Sequence, residues 1–571
     1  MMRIKSLNFS ILFIFLFLFF TLLNVEVIRG NRFKGLSDKN CIRLLPQEGS
    51  RGKIFDRAGD IIVDSSLSYD LMILPQEEAE LDEALANVAK ILGTNLKSLK
   101  DKFNREITVP FVPVAVAENI DIKKAFALEE LKADFSSIII QPRFRRNYPN
   151  QRLAAHVLGH LSEIDRWRLE KLADYGYKTK DIVGFGGIEE KYDYYLRQDQ
   201  GGLSIEVDHR GRFARLLGFK PARSGKDIQL TLDIKIQEII EEALKDKTGS
   251  VVIMNPYSGE IIALASSPSF DPSVFVRKDR DAVIDIINNP DSPFLNRAIG
   301  GSFPAGSVFK LVVAVAALET GKINLSTSFY CTGSIRIGGQ EFSCWNTHHQ
   351  QNLRQAITHS CNVFFYRTGL LVGPKLIHDY AVKFGLAKST LIDLPYEVSG
   401  YVPTPLIERI YKFKRWFDGD IVNFSIGQGD LLVTPLQIAR MMAVFANKGF
   451  LVRPYIVKAV EGQEISRYQK KITRMPVKIS TIEYIRQDLE NVVSDPSGTA
   501  SVLSSLPFSV AGKTGTAQVS RGQPHAWFTG FFPFKNPKFV ICVFLEHGGP
   551  GYAACVLTRQ IIENMIREGL I

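Results

Sequence analysis

"GSVVIMNPYSGEIIALASSPSF", residues 249–270, decides the fold class. Two apolar runs flank Asn255-Pro256-Tyr257-Ser258-Gly259, a set of residues that turns a chain, so the stretch predicts two strands and a tight connection. Just upstream, "GKDIQLTLDIKIQEIIEEAL" reads as a strand followed by a helix. Downstream, helical patterns cover 305–320, 352–369, 374–385 and 434–448. Strands return at 508–520, 525–533 and 537–546, and a last helix covers 556–568. Strands at both ends of a mainly helical middle predict an α+β domain over 224–571. Its chain starts and finishes in one antiparallel sheet, with helices on the faces.

Working outward, 571 residues exceed what one core holds. Residues 31–223 form a separate region with no catalytic constellation, read as a spacer or docking domain. In it, "RGKIFDRAGDIIVDSSLSYDLMILP" (51–75) predicts two strands joined at "DRAGD". Residues 76–135 read as largely helical, and 136–222 as short strands with Gly-rich loops. Asp56 and Arg57 read as a structural ion pair. At the N-terminus, Arg3 and Lys5 precede an uncharged run from Ser6 to Val25, long enough to span a bilayer. No Ala precedes Ala58, so an A-x-A-like cleavage site is missing and residues 1–30 read as an uncleaved tail and anchor. The basic flank stays in the cytoplasm and the bulk of the chain lies outside it. The net charge of +10 comes without a Lys/Arg block, which leaves an anionic surface or acidic polymer a better partner than nucleic acid.

The chemistry starts in "GGSFPAGSVFKLVVAVAALETG" (300–321). Ser307 and Lys310 share a helix face at the start of an apolar helix. Burial there lowers the lysine pKa and makes it a base for a hydroxyl that is otherwise a poor nucleophile. Ser-x-x-Lys alone carries little weight, since Ser50–Lys53 matches it too. Ser360-Cys361-Asn362 and Lys513-Thr514-Gly515-Thr516 follow downstream, the latter on an expected strand; Lys247–Gly249 precedes the serine and is set aside. Ser-x-x-Lys, Ser-x-Asn and Lys-Thr-Gly in this order are the signature of penicillin-recognising acyl-transfer enzymes.

Around these motifs the chain resembles the class B penicillin-binding proteins. "GEIIALASSPSFDP", "NRAIGGSFPAGSVFK", "SIGQGDLLVTPLQIA", "AGKTGTAQV", "HAWFTGFFP" and, upstream, "RGKIFDRAGDIIV" are similar to that family's blocks, with Ala58 where the family often has Asn. The resemblance implies an elongated pedestal followed by a β-lactamase-like transpeptidase domain that works without a catalytic cofactor. It implies Ser307 as nucleophile on the D-Ala-D-Ala carbonyl of a stem peptide, Lys310 as its base and Ser360 as a relay toward the leaving D-alanine. Asn362 would hold the substrate amide and Lys310. Lys513, Thr514 and Thr516, in the block that includes Gly515, would bind the terminal carboxylate. The N–H groups of Ser307 and Thr516 would form the oxyanion hole. β-Lactams would acylate the same serine. A hydrolase (carboxypeptidase or β-lactamase), a septal transpeptidase, a penicillin sensor and a wall scaffold are the competing readings.

Three of six cysteines fall in "CTGSIRIGGQEFSCWNTHHQQNLRQAITHSC", as Cys331-x12-Cys344-x3-His348-x12-Cys361. The spacing suits tetrahedral zinc or, equally, a Cys331–Cys344 disulfide with Cys361 buried. The elongation-type subgroup, penicillin-binding protein 2, can carry a metal here, and that resemblance favours a structural zinc. Its "CW…GHG" appears as "CWNTHHQ", which puts His348 on the ligand position with His349 competing. The same resemblance implies wall elongation and cell-shape maintenance. It also implies a SEDS-family rod-complex polymerase and other elongation proteins as partners, and a single-pass inner-membrane location with a periplasmic bulk. Cys542 and His525 read as packed strand residues, Cys555 as the start of the last helix, and Cys41 as membrane-proximal.

Overall fold

Every residue of the strands Gly249–Met254, His525–Phe532 and Phe539–Leu545 is buried, so the sheet they belong to is covered on both faces. The computed structural model describes residues 2–34, 42–75, 78–107, 113–135, 137–207, 213–411, 413, 415–464 and 471–571. The sheet has five antiparallel strands in the order Ile261–Ser267, Gly249–Met254, Phe539–Leu545, His525–Phe532, Ala511–Ala517. The chain does start and finish in one sheet, and Ala511–Ala517, with the Lys-Thr-Gly motif, is its edge. Helices Gly551–Arg567 and Ile234–Ala243 pack together on one face, and Pro435–Ala446 packs on the central strands.

The helical middle holds helices the periodicity reading lacks, among them Arg280–Asn288, Pro405–Tyr411 and Asp418–Ser425, and splits one that it expects. The single helix expected over 352–369 is two, Leu353–Thr358 and Asn362–Val372, broken where Ser360 takes a left-handed φ of 53°. A helix without an expectation covers Ile479–Ser494; Arg486 and Asp488 are buried on it, and these polar residues interrupt its apolar stripe. Lys310–Glu319 is buried from Lys310 to Ala317, as a helix apolar on all sides must be.

The chain forms two compact units. The larger holds residues 52–64, 146–197 and 226–571, and thus takes in two segments that precede the linear boundary expected at 223/224. In it, Asp56 Oδ1 accepts the N–H groups of Ala58, Gly59 and Asp60, each at 2.8 Å, and closes the turn between Ile54–Phe55 and the strand beginning at Ile61. Arg57 faces Glu260 at 3.9 Å, so the expected Asp56–Arg57 pair is not formed. The smaller unit holds residues 1–51, 65–145 and 198–225. It has an antiparallel sheet ordered Ile42–Gln47, Gly201–Val207, Phe213–Lys220, and a core built on Leu71, Leu85, Val88, Phe103, Leu128 and Ile138. The largely helical reading of 76–135 holds for Glu78–Leu92, Leu96–Glu106 and Ile122–Leu131 and misses the strand Val114–Ile120. Among the described residues one helix, Asn8–Ile28 with mean hydropathy 2.6, is long and apolar enough to cross a membrane.

Candidate active site

Pro304-Ala305-Gly306 ends in a 3-10 turn, Gly306–Phe309, before the helix Lys310–Glu319 begins. In a 3-10 turn residues i and i+3 eclipse, which stacks Lys310 over Ser307. The turn is pinned from two sides. Trp527 Nε1 donates to Pro304 O at 3.0 Å, and Gly306 N donates to Gly427 O at 2.9 Å. Gly306 has φ of 54° and Gly427 φ of 77°; a Cβ on Gly427 would lie 2.1 Å from Gly306 O, so no larger residue fits there. The block "SIGQGD" thus has a steric task that its sequence alone did not disclose.

Lys310 is fully buried, and its Nζ donates to Ser360 O at 2.8 Å and Asn362 Oδ1 at 2.6 Å, with Ser360 Oγ at 3.3 Å. Burial pulls its pKa down to about 8, against the opposing charges of Cys344 and Cys361. Two N–H bonds to carbonyl oxygens leave a neutral amine one lone pair, and the Ser360 hydroxyl lies next to it. Ser307 Oγ makes no hydrogen bond among the described residues, so the expected hydroxyl–amine contact is a stacking without a bond.

A cleft of about 860 Å³ is lined by Ser307, Ser360, Asn362, Thr514 and Thr516. They come from three separate parts of the chain, the Ser307 turn, the Ser360–Asn362 break and the strand Ala511–Ala517, and all were singled out in the sequence. Thr516 is the one exposed residue of its strand; its Oγ1 accepts the Gly551 N–H at 2.9 Å, while Thr514 Oγ1 bonds Thr499 Oγ1 at 2.8 Å. Lys513 and Gly515 face away, as strand alternation requires. Lys513 is fully buried behind the wall, donates to Thr514 O at 3.1 Å, and is held well below the ordinary lysine range by burial and then by the Lys310 charge. Sequence reasoning missed Ser343, Trp345, Tyr366, Gln428 and Tyr552, which also line the cleft. A larger groove of about 1200 Å³, between the helix Ile234–Ala243 and residues 564–568, carries charges of both signs and none of the motif residues.

Cys331, Cys344, His348 and Cys361 converge, with their donor atoms all within 4.8 Å of one another. The three cysteines are free, as are Cys542 and Cys555, so the Cys331–Cys344 disulfide considered from sequence is not formed; Cys41 lies outside the described residues. His348 Nδ1 is 3.4 Å from Cys344 Sγ and 3.7 Å from Cys331 Sγ. The edge of a tetrahedron with zinc-to-sulfur and zinc-to-nitrogen bonds is about 3.6 Å, which the two histidine–sulfur distances match. His349, the competing ligand, points instead to Tyr330 Oη at 3.2 Å. Cys344 is held well below the ordinary thiol range, first by a hydrogen bond with Cys361 and then by one with His348; Cys361 is pushed up by the same Cys344 bond. His525 is buried in its strand and its Nδ1 accepts the His547 N–H at 3.0 Å, a packing role as expected.

The sequence profile of the penicillin binding protein transpeptidase domain matches residues 249–567, and that of the penicillin-binding protein dimerisation domain matches 46–230. The chain is 30% identical to the peptidoglycan D,D-transpeptidase MrdA of Escherichia coli (strain K12), across 95% of this chain and 91% of that protein. Its structure is similar to PBP2 of Helicobacter pylori, solved in complex with MreC, with a TM-score of 0.82, 25% identity, and 93% and 99% of the two chains covered. It is also similar to a chain from a peptidoglycan synthase complex that coordinates polymerization and crosslinking, with a TM-score of 0.73, 27% identity, and 98% and 97% covered.

Proposed function

The chain belongs to the penicillin-binding protein transpeptidase family, and from that premise we propose that it is a membrane-anchored peptidoglycan D,D-transpeptidase of wall elongation, working through an acyl-enzyme on Ser307. What carries this reading is the convergence of Ser307, Ser360, Asn362, Thr514 and Thr516 on one cleft, with Lys310 buried behind it.

Ser307 Oγ attacks the D-Ala-D-Ala carbonyl carbon and Lys310 Nζ takes its proton, which requires the neutral amine that burial favours. The carbonyl oxygen gains the negative charge and is met by the N–H groups of Ser307 and Thr516. Ser360, next to Lys310 Nζ, passes a proton to the departing D-alanine nitrogen, and the C–N bond breaks. An amine of a second stem peptide then attacks the ester, forms the cross-link and releases Ser307. Thr514 and Thr516 bind the terminal carboxylate with Lys513 behind them, and the arriving negative charge favours the protonated Lys513 that burial disfavours. Penicillins follow the first half of this path and stop at the ester.

The Cys331, Cys344, His348 and Cys361 cluster would hold a structural zinc that clamps the wall carrying Ser360 and Asn362. The helix Asn8–Ile28 supports single-pass anchoring in the inner membrane with residues after it in the periplasm. The linear division into a 31–223 pedestal and a 224–571 transpeptidase part belongs to the same reading. Similarity to chains solved with MreC and in a synthase complex supports elongation-complex partners, with a SEDS-family polymerase as the source of uncross-linked strands.

Fluorescent penicillin tests the core of this. Wild type labels covalently and Ser307→Ala does not; an unlabelled wild type, or equal labelling of both, overturns the acyl-enzyme. Metal analysis of freshly prepared protein tests the zinc: wild type carries it and Cys344→Ser loses it, and a metal-free wild type refutes the clamp.

A further inference from the structure

Asn362 opens the helix Asn362–Val372, and Tyr366 is four residues on, so the two side chains share a face over one turn. The end of the strand Gln340–Ser343 lies against that face and takes three donors from it. Ser343 O accepts from Asn362 Nδ2 at 3.2 Å and from Tyr366 Oη at 3.0 Å, and Cys344 Sγ accepts the Asn362 N–H at 3.2 Å. The carbonyl has two lone pairs, and the two side chains use both.

The orientation of the Asn362 amide follows from what each neighbour can do. Lys310 donates its N–H at 2.6 Å, so Oδ1 must face it. Nδ2 then points the other way and needs an acceptor, which is Ser343 O. A flipped amide would set Nδ2 against the amine and Oδ1 against a carbonyl, two contacts of like polarity. Tyr366 is 3% exposed, with its ring edge-on to Phe342 at 6.1 Å, and it lines the cleft. Burial pushes its phenol above the ordinary range, in keeping with the hydroxyl donating to the Ser343 carbonyl.

We propose that Tyr366 is a positioning residue: through the Ser343 carbonyl its hydroxyl fixes the Asn362 amide, and so fixes where Lys310 Nζ sits beneath Ser307. This rests on the reading of Ser307 as nucleophile and Lys310 as base. Replacing the hydroxyl by hydrogen leaves the ring in place and frees one lone pair of the carbonyl, which can then slide off Asn362.

The test is a double-mutant cycle on the full chain with a fluorescent penicillin. Acylation is read as a first-order rate constant per titrated site, so a smaller folded fraction does not alter it. Tyr366→Phe lowers that constant roughly three- to tenfold, the range of one hydrogen bond, and leaves non-covalent penicillin affinity within about twofold. In an Asn362→Ala background, Tyr366→Phe causes no further loss. Unchanged acylation in Tyr366→Phe overturns the proposal, and so does the same fold-loss persisting without Asn362, which would mark a packing effect. A wild type that takes no penicillin sinks the acyl-enzyme and this proposal together, whereas normal labelling with an indifferent Tyr366→Phe sinks this proposal alone.

Discussion

On one side of the cleft the edge strand Ala511–Ala517 lies so close to the Ser307 turn that a Cβ on Gly515 would come within 3.1 Å of Ala305 O, Val308 Cγ1 and Trp527 Cβ. On the other side Ser360 and Asn362 hang from a break between two helices, held by a lysine, a carbonyl and a sulfur. The first wall is set by steric contact between backbones in the main core and has no adjustable part. The second is set by polar bonds to a strand and a cysteine–histidine cluster at the edge of the molecule. Steric walls fail all at once when a methyl is added, while polar walls fail in steps as donors and acceptors are removed. Variants of the two sides should therefore differ in kind as well as in size.

The largest effect falls on the steric side. Gly427→Ala puts a methyl 2.1 Å from Gly306 O at a φ of 77°. Overpacking and left-handed strain each cost about 1–3 kcal/mol, so denaturant unfolding should show a loss of that order or more, and penicillin acylation should fall at least a hundredfold. Near-normal acylation would mean that the turn has slack, and the contrast between the walls would be lost. Cys344→Ser, on the polar side, should reduce acylation roughly ten- to a hundredfold through loss of the proposed zinc clamp, with the five-stranded core still melting cooperatively. A collapse of the whole domain in that variant would show that the two walls are one structure.

Lys310 joins the two sides, and its protonation gives a graded effect. With its pKa drawn down to about 8 by burial, the amine gains neutral fraction about tenfold per pH unit below 8 and levels off above it. Acylation per site should rise the same way between pH 6 and 8 in stopped-flow measurements. The stability sign is set by the lowered folded pKa: the folded state binds fewer protons than the unfolded chain between about 8 and 10.5, so stability gains from this group as pH rises through that window. A flat acylation profile from pH 6 to 9 would remove Lys310 as the base.

The two sides were also unequally legible in the sequence. Ser307, Lys310, Ser360, Asn362 and the Lys-Thr-Gly strand could be read because the signature is written in their side chains, and their order identified the family. The strands 249–254, 261–267, 525–532 and 539–545 could be read because both of their faces are buried and their sequences are plainly apolar. The break at Ser360 was hidden, since helical periodicity runs on through residues that take a left-handed turn. Gly306 meeting Gly427 is a contact across a large sequence separation, which no local pattern encodes. The Ser343 carbonyl has no side-chain signature at all, and the only trace of its task is the four-residue spacing of Asn362 and Tyr366. Asp56 read as an ion-pair partner because a carboxylate beside an arginine looks like one; three backbone N–H groups claim it first.

The smallest effect sharpens the polar side by separating two adjacent histidines. His348 stacks parallel to His359 with centroids 5.8 Å apart and turns Nδ1 to two sulfurs, while its buried Nε2 has no partner among the described residues. His349 takes a left-handed φ of 56°, and that reversal sends its ring to Tyr330 on the exposed side of the strand pair Ser328–Cys331 and His349–Asn352. His349→Ala therefore loses one exposed hydrogen bond, worth about 1 kcal/mol or less, and should keep the proposed zinc and acylate within about twofold of wild type. His348→Ala removes a cluster donor and should lose zinc and acylation together, as Cys344→Ser does. If the two histidine variants exchange these outcomes, the wall that carries Ser360 and Asn362 is clamped through the other ring, and the strand pairing of Cys331 with His349 must shift to allow it.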